Sequence, residues 1–198
     1  DGADDIMVGS RLFAAKIEVW LSQPGGGWNK VLVERQNVQP EAGGAIHDID
    51  GDGDPDIVLG QDFSGGDIYW WENPNPNFST EWTRRLVKSD GGTKHHDQAF
   101  GDFDGDGATE LVAWNQNVNQ LLLFEIPANP RSRTQPWASS VIYTSPTSNY
   151  EGLAVGDVDL DGVEDIIGAG HWWKHIGGGA YRANVVDANM NFTRAAVG

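Results

Sequence analysis

Asp48, Asp50, Asp52 and Asp56 stand within HDIDGDGDPDIVLG, residues 47–60, in the pattern D-x-D-G-D-G-x-x-D. Carboxylates this dense repel one another unless a cation sits among them. Side-chain oxygens at positions one, three, five and nine can face a single point, and position seven can add a backbone carbonyl. That is the oxygen-rich coordination calcium takes. Asp102, Asp104, Asp106 and Glu110 make a second set, and Asp157, Asp159, Asp161 and Asp165 a third. Asp1 and Asp5 are the remains of a fourth. A single copy reads as readily as a solvated Asp-Gly turn, but three in phase favour bound calcium. The expected role is structural, because four carboxylates around one ion leave little room for substrate. No organic cofactor is expected.

The elements that must position these loops are strands. An EF-hand needs Glu at position twelve between two helices. Position twelve here is Leu59, Ala113 and Gly168, and the flanks are β-branched and apolar. The fifth-position acids Asp52, Asp106 and Asp161 are 54 and 55 residues apart, and Asp1 holds the same slot 51 residues before Asp52. A small, apolar strand precedes each full loop (GGAIHD, QAFGD, GLAVGD), and the terminal FTRAAVG reads as that strand again. After PDIVLG come DIYWWENP and WTRRLVKS; after TELVAW come QLLLFEIP and WASSVIYTS. Gly, Pro, Asn and Ser bound these runs, and there is no amphipathic helix pattern.

Four short strands per repeat of about fifty residues predict an all-β fold, a β-propeller of four-stranded blades. The acidic loop joins the first and second strand of each blade. Residues 1–198 form one propeller segment with blades at 1–39 (completed by 191–198), 40–93, 94–148 and 149–190. This segment is expected to belong to a larger propeller, to self-associate through the terminal strand as a closed dimer or head to tail, or to close as a four-bladed ring completed by its own terminal strand.

Composition excludes several classes of partner. The net charge of −16 opposes nucleic acid and anionic membranes. No apolar run reaches the roughly 20 residues that span a bilayer. There are no cysteines, hence no disulfide, thiolate metal site or cysteine nucleophile. Weak oxygen-rich calcium sites fill where free calcium is high, so an extracellular or periplasmic location is expected.

If the loops lie at one end of the blades, the turns entering inner strands and leaving second strands lie at the other. The residues there are Glu41, His95, His96, Asp97, Tyr150, Glu151 and Arg194, with Gln61, Asp62, Asn115, Gln116, His171 and Trp172. Lys174 and His175 join them if they belong to the last hairpin; His47 sits beside a loop instead. Aromatic faces that stack on sugar rings, beside side chains that bond hydroxyls, suit carbohydrate. His96 or His95 is the candidate general base, Tyr150 the acid, and Arg194 or Lys174 a counter-charge for a substrate carboxylate. His95, His96 and His171 could also hold a second metal. The plainer alternative for each histidine is a hydrogen-bonded structural role. One member of each Trp70–Trp71 and Trp172–Trp173 doublet is expected to pack between blades.

At the acidic loops the chain resembles the FG-GAP/VCBS repeat family of β-propellers, over its whole length as four repeats. WWENP followed by WTRRLV, then HHDQAFGDFDGDG and YEGLAVGDVDLDG, look more narrowly like carbohydrate-active members, the aldos-2-ulose dehydratases and propeller polysaccharide lyases. That resemblance implies histidines facing substrate before inner strands, a slot His96 or His95 fills. Tyr150-Glu151 stands where such members carry His-Glu. Three functions follow: a secreted calcium-stabilised propeller that binds carbohydrate, a sugar lyase or dehydratase acting by proton abstraction and β-elimination, and a structural or adhesive module.

Overall fold

The computed structural model describes residues 4–12, 16–62, 65–89, 94–132, 134–147, 149–191 and 194–198. Antiparallel strands form four successive sheets. The first blade holds β1 (Ile6–Gly9), β2 (Ile17–Ser22) and β3 (Trp28–Glu34). The second holds β4 (Ala45–His47), β5 (Asp56–Gly60), β6 (Asp67–Glu72) and β7 (Thr83–Ser89). The third holds β8 (His95–Gly101), β9 (Glu110–Asn115), β10 (Gln120–Glu125) and β11 (Ser139–Thr144), with one 3-10 turn at Pro130–Ser132. The fourth holds β12 (Ala154–Gly156), β13 (Asp165–Gly168), β14 (His171–His175) and β15 (Tyr181–Val185). Within each sheet the order is sequential, which fits a blade repeat.

The core consists of the seams between sheets, because each strand sends alternate side chains to opposite faces. Ile17, Val19 and Val33 meet Ile57, Leu59 and Trp71 between the first two blades. Val58, Ile68, Trp70 and Val87 meet Leu111, Leu122 and Phe124 between the next two. Trp114, Leu121 and Leu123 meet Ile166 and Trp173 in the last. Both members of the Trp70–Trp71 doublet are therefore buried, one in each flanking seam, where the sequence led us to expect one. A backbone bond repeats across two seams: Trp82 N–H donates to Val33 O at 3.1 Å, and Trp137 N–H to Val87 O at 2.8 Å.

Among the described residues the first sheet has three strands, and Asn191 and residues 194–198 carry no strand. Arg194 and Val197 lie against the third and fourth blades. Val197 lies so close to Gly156 that a Cβ there would meet its Cγ1 at 2.8 Å, and Arg194 pairs with Asp97 and Glu151.

Candidate functional site

The three acidic loops share one hydrogen-bond scheme. The first aspartate accepts backbone N–H groups from the loop: Asp48 from Gly51, Asp52 and Gly53, Asp102 from Gly105 and Gly107, Asp157 from Asp161 and Gly162. The ninth-position acid accepts the amide of position two, so Asp56 takes Ile49 at 3.0 Å, Glu110 takes Phe103 at 2.8 Å and Asp165 takes Val158 at 2.9 Å. These bonds fold the loop and draw its acids together. Ligand oxygens of Asp102, Asp104, Asp106 and Glu110 all lie within 4.8 Å of one another, as do those of Asp48, Asp50 and Asp56, and of Asp157, Asp159 and Asp165. Asp5 accepts from Ser22 N–H instead, and Asp1 lies outside the described residues.

The donor set fits a hard divalent cation. Glu110 is buried, and its Oε1 has no hydrogen-bond partner. An unpaired buried carboxylate oxygen is costly unless a cation meets it. Burial, reinforced by nearby loop carboxylates, pushes Asp56 and Glu110 up to about 7, and pushes Asp50 and Asp165 upward as well. A cation in the loop would reverse this.

The histidine face lies at the opposite end of the same strands: β8 starts at His95 and runs into the loop at Asp102. A bulge between His96 and Gln98 leaves Asp97 outside the ladder at φ 44° and re-aims its side chain. Asp97 Oδ2 then lies 2.7 Å from His96 Nδ1 and accepts the Gly152 N–H at 2.7 Å. His96 Nε2 faces Glu151 Oε1 at 3.1 Å and Glu41 Oε1 at 3.6 Å. Arg194 pairs with Asp97 at 3.4 Å and with Glu151 at 3.3 Å. Arg11 pairs with Glu41 at 3.0 Å and with Asp62 at 3.1 Å. Gln116 donates to Tyr150 O and to Glu151 Oε1. Residues from all four blades thus meet in one network. Its carboxylates and His96 are buried, while both arginines are half-exposed or more.

Other residues expected on this face are placed apart from the network. His95 is fully buried, with Nε2 at 3.1 Å from Gly66 O. Asn115 is buried in the ladder opposite His95. Tyr150 packs edge-on against Trp114 and beside Tyr143 and His171, inside the seam of the third and fourth blades. His171 stacks on Trp173, and its Nδ1 lies 2.8 Å from Ala169 O. Trp172 is half-buried on the other face of β14. Among the described residues, His95, His96 and His171 form no metal-holding group.

Lys174 requires a correction. The turn between β13 and β14 is only Ala169-Gly170, so Lys174 and His175 fall at the loop end of the blade. Lys174 Nζ contacts Asp159 Oδ2 and Asp161 Oδ2, each at 2.5 Å. Two cations went unrecognised in the sequence. Arg11 has no motif around it. Arg131 reaches from the third blade to Asp50 at 2.7 Å, to Glu72 at 2.9 Å and to Asp52.

A family model described as an FG-GAP-like repeat matches residues 48–113 and again 102–168, together more than half of the chain. Among solved structures, the crystal structure of the V. cholerae biofilm matrix protein Bap1 is similar, with 18% identity and a TM-score of 0.49. The likeness covers 89% of this chain and 26% of that one, so the chain spans about a quarter of that protein's length. No curated protein sequence matches. Neither comparison bears on the narrower resemblance to carbohydrate-active propellers.

Proposed function

The chain belongs to the FG-GAP-like repeat family, and from that premise we propose that it is a calcium-stabilised propeller module that works outside the cell and binds carbohydrate on the face opposite the acidic loops. Calcium is held by carboxylates of the acidic loops and ties the inner strand of a blade to the second. Its role is to neutralise charge that otherwise opposes folding.

Binding is favoured over chemistry by one observation: both ring nitrogens of His96 face carboxylate oxygens in a buried network. A general base needs a nitrogen within reach of substrate, and here each is occupied. What meets solvent is the guanidinium groups of Arg11 and Arg194, held in place by buried carboxylates. Such fixed donors suit vicinal hydroxyls or a uronate, at little ordering cost. This supports a lectin-like reading over β-elimination.

Two measurements test the proposal. At a calcium concentration about a hundred times Kd, each filled site adds about 2.7 kcal/mol. Chelator should therefore lower Tm by roughly 10 °C or more for two sites in a chain of this size. An unchanged melt would remove calcium from the account. Separately, a glycan panel should yield a ligand whose affinity drops about tenfold or more in Arg194→Lys or Arg11→Lys, which keep the charge beside the buried carboxylates and so nearly keep Tm while losing the planar fork. Failure of every glycan to bind, with the fold intact, would sink the carbohydrate reading.

A further inference from the structure

The three loops carry unequal charge. Residues one step beyond the strand pairs Ile57–Trp71, Leu111–Phe124 and Ile166–Trp173 are Glu72, Glu125 and Lys174, each opposite the ninth-position acid of its own loop. Two blades therefore place an additional carboxylate beside the loop, and the fourth places an ammonium there.

The surroundings follow this difference. Around the third blade's loop stand Asp102, Asp104, Asp106, Glu110 and Glu125, and among the described residues no cation pairs with them. The second blade's loop has Asp48, Asp50, Asp52, Asp54 and Asp56, with Glu72 beside it held by Arg85 and with Arg131 bound to Asp50, Asp52 and Glu72. The fourth blade's loop has five carboxylates, of which Glu164 turns away to accept the Asp102 N–H of the third blade's loop, and Lys174 is seated between its third- and fifth-position acids. Bonds to those two acids push Lys174 up to about 12, and its bond pulls Asp161 down.

We infer that Lys174 is the resident cation of the fourth blade's loop, so that this chain binds calcium at the second and third blades only. The inference rests on the calcium reading above. Arg131 does not play the same part at the second blade. It comes from a neighbouring blade's connection and its side chain is 45% exposed, so it can withdraw to solvent when calcium enters. Lys174 stands on a strand of its own blade, 20% exposed, and no carboxylate replaces it. An ion with two charges entering beside a fixed ammonium meets direct repulsion and loses two ligands that the ammonium already holds. The expected weakening at that loop is roughly a hundredfold or more.

The experiment is calcium titration of the chelator-stripped chain by calorimetry, with stoichiometry checked by native mass spectrometry. Two tight ions are expected in the parent chain and three in Lys174→Glu, which restores the acid found in the other blades. Lys174→Met, which only removes charge, should gain a weaker third ion and keep its fold by circular dichroism. Three ions of similar affinity in the parent, or two in Lys174→Glu with its fold intact, would overturn the inference while leaving the calcium reading standing. No bound ion at all would remove both.

Discussion

Asp56 and Glu110 link the loops to pH. Burial is the main reason both rise to about 7 from 3.8 and 4.5. In the unfolded chain they ionise near their ordinary values. Between those values and about 7 the metal-free folded state therefore holds more protons than the unfolded state, so stability falls as pH rises through that window. Bound calcium stabilises the ionised form and removes the trend. Urea melts at pH 5 and pH 7.5 in chelator should show the lower pH as the more stable, and millimolar calcium should cancel or invert the order. Equal chelator melts would contradict it. A second residue-scale effect lies at Leu160, which takes φ 62° where the other loops have Gly51 at 75° and Gly105 at 77°. A leucine is strained there and a glycine is not. After the greater unfolded-state freedom of glycine is subtracted, Leu160→Gly should stabilise by up to about 1 kcal/mol. A lower melt would show that the exposed leucine serves something else.

At the scale of strands, the seams depend on close approach where one blade meets the next. A Cβ on Gly60 would lie 2.4 Å from His95 O and 2.5 Å from His95 Cβ. Backbone cannot yield that much cheaply, so Gly60→Ala should cost roughly 2 kcal/mol or more and open the seam beneath the histidine face. A thermal melt within a degree of the parent would refute that. This contact also shows what the sequence made legible. The acidic loops could be read because a calcium loop is local: its acids, glycines and flanking strands lie within about a dozen residues. The strand periodicity of DIYWWE was equally plain, and it places Trp70 and Trp71 on opposite faces. The Glu41–His96–Glu151 network was only half legible. Strand alternation puts its members at ends that share a face, but the Asp97 bulge and the Arg11 partnership depend on contacts between blades that no local pattern encodes. Lys174 was misplaced for a similar reason: a turn of two residues shifts the end of a strand to the other side of the molecule.

The whole molecule ends in two faces built like its internal seams. Ile57, Leu59 and Trp82 of the second blade are 2%, 3% and 6% exposed against the first, whereas Ile6, Val8 and Trp28, their counterparts on the first blade, are 48%, 47% and 49% exposed. At the other end, Val158 and Val186 are 43% and 71% exposed where the matching Ile49 and Val87 of the second blade are 4% and 0%. β1 adds an edge with no partner on its outer side among the described strands. Apolar faces and open edges of this kind bind whatever matches them. We propose a second copy as the match, its fourth blade meeting the first blade of its neighbour in a head-to-tail joint like the internal seams. The 198-residue chain of 21.5 kDa should therefore run above monomer mass in light scattering, increasingly so with concentration. Ile6→Glu with Val8→Glu should restore the monomer with little loss of Tm, since both side chains point away from the first seam. The network of Arg11, Glu41, His96 and Glu151 should persist in that monomer, because all its members come from one chain. A parent chain that stays monomeric at high concentration would overturn self-association and leave the two faces for blades supplied by a different polypeptide segment.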